Sequence, residues 1–333
     1  MRIAFLCSPL SPNGWYRGIG PMLALAGRGH TIRQLLRTDG VFRPELVDGC
    51  DVLHIHRDHD DETLQLVKRA KEEGIAVVWD NDDDLASVPR NNVAARTYRG
   101  ASGAKGFANA RKIIELADLV TAPSARLAEI HREQGAQRSE VIENYVRDEM
   151  ALYRRPEKGD RAPVVIGWMA GKEHHVDAER IPIRAVLQRL LAEHEQIEVH
   201  TIGVGLGLRS ERYKHTRAVL FARLEEVLSP LDVGLAPISD MTFNRSRSNV
   251  KLKEYASIGV PWLASPIGPY AEMGEKQGGR LVPDDAWHDA LDRLIVKERD
   301  RRKLAKRAHK WGRAQSVSAN AGEWERRLAA LSN

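Results

Sequence analysis

Ten residues, Arg245 to Glu254, gather the groups that a phosphorylated, hydroxyl-bearing molecule would need. Arg245, Arg247 and Lys251 are cations, Ser248 and Asn249 are good helix caps, and Glu254 is an acid further along. A helix starting at Ser248 or Asn249 would add its free amides and dipole to those cations, which together suit a diphosphate. Glu254 would then sit beyond the phosphates, where an acidic side chain can hold ribose hydroxyls.

Four other clusters carry chemistry. Asp80, Asp82, Asp83 and Asp84 follow the apolar run IAVVW. Acids this dense need water, a cation or a hydroxyl-rich ligand, and they push one another's pKa values apart. Capping of the next helix is the simpler alternative. Lys172, His174, His175 and Asp177 follow VVIGWMAG and could supply a second set of phosphate contacts, or merely an exposed polar turn. Asn13, Gly14, Tyr16 and Arg17 lie just after RIAFLC. His54 and His56 form a His-x-His pair without a third ligand at convincing spacing, so no metal is expected there, and His56 is expected at a strand end beside a cleft.

The elements that must position these groups are strands of a parallel sheet, because each cluster follows a short, uniformly apolar run. RIAFLC, DVLHIH, IAVVW and ADLVTA read as buried strands, separated by helices such as Asp61–Glu73 and Ala108–Leu116. VVIGWMA, IEVHTIG, Val233–Ala236 and the stretch near Arg280–Val282 repeat the pattern, with a helix expected over Thr216–Leu228. Ligands of open α/β sheets bind at the carboxyl ends of the strands, which is where all five clusters fall. The fold class is α/β, with two Rossmann-like doubly wound units facing a cleft. Residues 1–155 form the first, 156–312 the second, and 313–333 a helix that crosses back. Arg154–Pro163 reads as the linker, and residues 88–106 as an exposed loop on the acceptor side.

Composition bounds the class. A chain of 333 residues with 42% apolar content can bury two ordinary cores, which argues against disorder. Cys7 and Cys50 form no disulfide framework, the first ten residues are too short for a signal sequence, and no 18-residue apolar span occurs. A reducing, cytoplasmic location is expected. The net charge of +5 is local: residues 297–313 hold nine Lys or Arg against Glu298 and Asp300, a net of +7, leaving the rest of the chain at −2. Leu294, Leu304, Ala308 and Trp311 give this stretch an apolar face, so it reads as a solvated basic helix. Contact with an anionic membrane or nucleic acid at the cleft is the alternative.

The run SNVKLKEYASIGVPWLAS followed by GPY resembles the donor-binding segment of GT-B glycosyltransferases of the group 1, retaining nucleotide-sugar family. GxYR near the start, D-x-DDDL after the fourth strand and VIxN at Asn144 are similar to that family as well. The resemblance implies a metal-independent, anomer-retaining transfer of a sugar from a nucleotide-sugar to an acceptor hydroxyl, with no cofactor besides the donor. It implies that Arg247, Ser248, Asn249, Lys251, Lys172 and His175 hold the diphosphate and Glu254 the ribose. It also implies that Gly14, Arg17 and Asn144 border the donor, and that Asp82 meets the sugar or acceptor. Arg247 and Lys172 would stabilise the leaving diphosphate. The family often carries a second glutamate with seven residues between the pair, and that position holds Ser246 here. A non-catalytic sugar- or nucleotide-binding protein is therefore one alternative. A Mn²⁺-dependent enzyme using Asp80-Asn81-Asp82 is another. The acceptor class stays open between small molecule, polysaccharide and lipid, with hydroxylated DNA bases a further possibility.

Overall fold

The computed structural model describes residues 1–8, 11–36, 44–157, 159, 162–217 and 219–331, so linker residues Lys158, Asp160 and Arg161 lie outside it. Two six-stranded sheets, each parallel throughout, form the frame. The first contains β1 (Arg2–Leu6), β2 (Thr31–Gln34), β3 (Val52–His56), β4 (Ala76–Asp80), β5 (Leu119–Ala122) and β6 (Ser139–Val141), in the order β2-β1-β3-β4-β5-β6. The second contains β7 (Val164–Ala170), β8 (Ile197–Gly203), β9 (Tyr213–Thr216), β10 (Val233–Ala236), β11 (Trp262–Ala264) and β12 (Gly279–Leu281), ordered β12-β11-β10-β7-β8-β9. Central strands such as β3, β4 and β7 are buried along their whole length because helices cover both faces.

Helices are seated where small residues let them approach. The helix Val250–Ser257 lies on β10 at Gly234, where an added Cβ would come within 2.6 Å of the Tyr255 ring. Tyr255 then ties that helix to two strands: its hydroxyl donates to the Leu235 carbonyl and accepts from the Met169 amide, both at 2.9 Å. Outside it runs the helix Glu298–Gly312, pressed against Ala256 at Gly312, where a Cβ would lie 2.2 Å from the Ala256 carbonyl carbon.

The chain returns to the first sheet at its end. Helix Val317–Ala329 buries Trp324 and Leu328 among Ile3, Phe5, Val52 and Val78, and Glu325 pairs with Arg28 at 2.5 Å and His30 at 2.9 Å. Burial of two large apolar side chains of this kind contributes about 1.5–3 kcal/mol each.

Three expectations change. The helix expected over Thr216–Leu228 is instead strand β9, a short turn and a helix of Leu224–Leu228. The helix expected from Ala108 starts at Gly100, because positive φ at Gly100 (71°) turns the chain directly into it. Residues 88–106 are thus largely helical turns rather than an open loop.

Candidate functional site

The carboxyl ends of both sheets open onto one cleft of about 700 Å³, with side chains from the two halves of the chain on facing walls. On the second wall, Arg247, Ser248, Val250, Lys251 and Glu254 all line it. The helix behind them has Asn249 at its N-cap, yet no side chain caps it: Asn249 Nδ2 instead donates to Glu143 Oε1 at 3.2 Å. The expected cap is absent, and the first amides of the helix carry no side-chain partner. Two helical turns hold the cations and the acid at different depths, with Glu254 4% exposed.

Arg247 is aimed by a relay. Asp177 Oδ1 accepts from the Ser239 amide and hydroxyl, both at 2.8 Å, and from Asn244 Nδ2 at 2.9 Å. Its Oδ2 accepts from His174 Nδ1 at 2.7 Å, and His174 Nε2 in turn accepts from Arg247 Nη1 at 3.0 Å. That order requires a neutral imidazole with its proton on Nδ1. Burial, reinforced by Arg247, depresses the His174 pKa and supplies it. His174, not His175, is therefore the histidine that lines the cleft. The short turn Lys172–His174 runs into the helix at His175, and each step rotates the side chain by about 100–120°, so a one-residue offset changes its direction. The Lys172 side chain lies outside the described residues.

The first wall corrects more. Arg17 does not face the donor. It is fully buried in a bidentate pair with Asp80, with Nε to Oδ1 at 3.0 Å and Nη2 to Oδ2 at 2.6 Å. It also donates to the Ile142 carbonyl and to Asn144 Oδ1, and its guanidinium stacks on Trp324 at 5.2 Å. Gly14 is buried as well, where a Cβ would collide with the Ser8 carbonyl, and the cleft is lined by its neighbours Ser11, Pro12, Asn13 and Tyr16. Asn144 bridges the walls: its Nδ2 donates to Ser248 Oγ at 3.2 Å while its Oδ1 accepts from Arg17.

Asp82 is likewise sealed beneath the surface, accepting from His56 Nε2 at 3.0 Å and from Arg57 Nε. Burial opposes its charge, but Arg57 and His56 outweigh that and hold it below the usual carboxylate range. Of the acids after β4, Asp83 is the one that lines the cleft, paired with Arg57 Nη2 and 3.8 Å from Arg247 Nε. Burial, with Asp82 beside it, raises the Asp83 pKa against the pull of Arg57. Arg57 alone among the described non-glycine residues has positive φ, 64°, a conformation costing about 1–3 kcal/mol that the surrounding pairs must hold. Sequence reading missed Arg57, because its partners lie 25 and 26 residues away. His54 is sealed against Trp324, and burial takes its pKa down to about 4. Among the described residues no group of three His, Cys, Asp or Glu is placed to hold a metal.

Beyond Glu254 the cleft ends in Ile202, Val219, Leu220, Phe221 and Met169, an apolar recess whose Leu220 is 73% exposed. Val88, Asn92 and Tyr98 also line the cleft, so part of residues 88–106 does border it. Residues 297–313 do not line it. Their helix packs behind Val250–Ser257 and turns Arg299, Lys303, Lys306, Lys310 and Arg313 outward. Ser246 is fully buried away from the cleft, accepting from Ser124 Oγ through its carbonyl at 2.5 Å. No helix among the described residues is long and apolar enough to cross a membrane.

No protein-family model matches this chain, and no curated protein matches its sequence. Solved structures do match along its whole length. An alpha-glucosyltransferase in complex with UDP-glucose and DNA containing an abasic site superposes with a TM-score of 0.69 at 10% identity, covering 98% of both chains. HepE of Anabaena in complex with UDP and glucose gives 0.67 at 13% identity, covering 99% of this chain and 100% of the other. UDP-GlcNAc 2-epimerase from Neisseria meningitidis, bound to UDP-GlcNAc, gives 0.59 at 12% identity, covering 99% and 100%. The two-sheet GT-B architecture is thereby established.

Proposed function

We propose that the protein is a glycosyltransferase that moves a sugar from a nucleoside diphosphate donor to an acceptor hydroxyl, with retention and without a metal. One observation carries the reading: Arg247, Ser248 and Lys251 at an uncapped helix N-terminus, with Glu254 behind them, all open into a single cleft. The diphosphate lies against the helix amides and the two cations, the ribose against Glu254, and the base in the recess of Ile202, Val219 and Phe221. As the glycosidic bond breaks, negative charge grows on the diphosphate and meets donors already in place, which is where the rate gain arises.

Charge neutralisation by Arg247 and Lys251 leaves no part for a metal on this wall, and the Asp-x-Asp acids Asp80 and Asp82 are already engaged by Arg17 and Arg57. The facing wall of Asp83, Arg57, Asn92 and Tyr98 is balanced in charge, which favours a neutral hydroxyl acceptor over a nucleic acid track. The small-molecule, polysaccharide and lipid classes all fit that wall. A panel of nucleotide sugars assayed in EDTA tests the reading. Donor-specific release of nucleoside diphosphate, with the sugar's anomeric configuration kept in the product, is expected. Epimerisation without diphosphate release, or dependence on added Mn²⁺, would replace it.

A further inference from the structure

A second cavity, of about 640 Å³, lies in the first half of the chain, between the helices Gly100–Leu116 and Ala125–Glu133 at the end of β4. Trp79, Leu85, Phe107, Ile114, Leu127 and Ile130 give it an apolar lining, and its charged residues cancel, Arg111 and Lys112 against Asp84 and Glu115. That size and lining suit a small, neutral, largely apolar molecule. One stretch of chain separates this cavity from the cleft. Asn81 and Asp84 line the cavity, Asp83 lines the cleft, and Leu85 borders both. Phe107 on the cavity side stands 6.4 Å, ring to ring, from Tyr98, which lines the cleft.

His131, 1% exposed, lines this cavity with an unmade hydrogen bond. The Asn81 amide is oriented by Asp83: its Oδ1 accepts from the Asp83 amide at 3.4 Å and its Nδ2 donates to the Asp83 carbonyl at 2.8 Å. Asn81 Nδ2 also faces His131 Nε2 at 3.3 Å, so Nε2 accepts and the ring proton sits on Nδ1. Burial takes the His131 pKa down to about 4, which keeps the imidazole neutral and Nε2 free to accept. Nδ1 is buried and has no partner among the described residues. A buried donor left unsatisfied costs more than an ordinary hydrogen bond gains, so this N–H calls for an acceptor oxygen. We propose that the cavity binds a neutral fused-ring molecule whose carbonyl oxygen accepts from His131 Nδ1. Two sources share that chemistry: the ring system of the acceptor, its hydroxyl reaching past Leu85 into the cleft, and a separate ligand resting on the 81–85 partition.

Calorimetric titration with coumarin, a two-ring lactone with one carbonyl, tests this on the full chain, His131→Phe and Ala108→Trp. Saturable binding to the wild type is expected. His131→Phe keeps a ring and removes the N–H, and should weaken binding about ten-fold. Ala108→Trp fills the cavity from an exposed position on its rim and should abolish binding. Absence of saturable binding to the wild type, or binding that either folded variant leaves unchanged, overturns the proposal. Should His131→Phe fail to fold, Ala108→Trp decides. The two sources separate in a transfer assay with 7-hydroxycoumarin. Its glycosylation, inhibited competitively by coumarin, assigns the cavity to the acceptor's ring system, whereas coumarin binding without such competition assigns it to a separate ligand. Calorimetry needs no sugar donor, so its result stands apart from that of the donor panel.

Discussion

On the second-domain wall, Arg247 and Lys251 keep 23% and 20% of their side chains exposed, and the acids near Arg247 stand off at 3.6 and 3.8 Å. On the first-domain wall, Arg17 is sealed against Asp80 and Arg57 is locked to Asp82 and Asp83. Both walls are rich in charge, but one holds it in reserve for a ligand and the other spends it on its own architecture. The difference is one of desolvation for Arg17 and of tight pairing for Arg57. A cation left partly wet can exchange water for phosphate, whereas a guanidinium already buried against a carboxylate would have to abandon that partner. Counting charges in the two stretches would rank them equal; burial separates Arg17, and close pairing with Asp82 and Asp83 separates Arg57, whose side chain is as exposed as that of Arg247.

Breaking the sealed pair should have the largest effect. Arg17→Ala leaves Asp80 buried without its partner and should cost about 3–5 kcal/mol of stability by urea unfolding. The comparison would collapse if that variant kept wild-type stability but lost donor affinity. Arg247→Ala should do the reverse. Turnover should fall about 100-fold, close to 2.7 kcal/mol of transition-state stabilisation, while the unfolding midpoint stays nearly unchanged. Steady-state kinetics that show a rise in donor KM at constant turnover would assign Arg247 to ground-state binding instead. The smallest effect is expected on the outer basic helix. Lys303→Glu, Lys306→Glu and Lys310→Glu together should move stability by less than about 0.5 kcal/mol per site and leave turnover on a small acceptor intact. A marked loss of turnover would bring that face into the reaction after all.

The same contrast explains what could be read from the chain. The donor wall was legible because its chemistry lies within eight residues, Arg247 to Glu254, on one helix and the turn that leads into it. The two parallel sheets and the cleft between them followed from apolar runs ending in polar clusters. The acceptor wall was not legible, since its decisive pairs join residues far apart: Arg17 with Asp80 across 63 positions, and Tyr16 with Glu254 across 238. No local pattern marks such partners. Asp82 and Asp83 differ by one position, yet only Asp83 lines the cleft, as His174 does and His175 does not, and direction at that scale is set by turn geometry rather than residue type. The basic stretch was identified correctly as a helix with an apolar face, but its position behind Val250–Ser257 depends on Gly312 meeting Ala256, which composition does not reveal.

The helix Val317–Ala329 has a consequence for how the protein is made. The second sheet and its covering helices come from one continuous stretch, so that unit can close as soon as it leaves the ribosome. The first sheet cannot finish in the same order. Its strands are complete by Val141, but Trp324 and Leu328, which cover Ile3, Phe5 and Val78, are synthesised some 180 residues later. Through all of that synthesis the part of the β1, β3 and β4 face that Met22 and Leu25 leave uncovered stands open to solvent and to other nascent chains. The half of the molecule made first is thus the last to mature, and it is the half in which chaperone dependence and premature-termination products should concentrate.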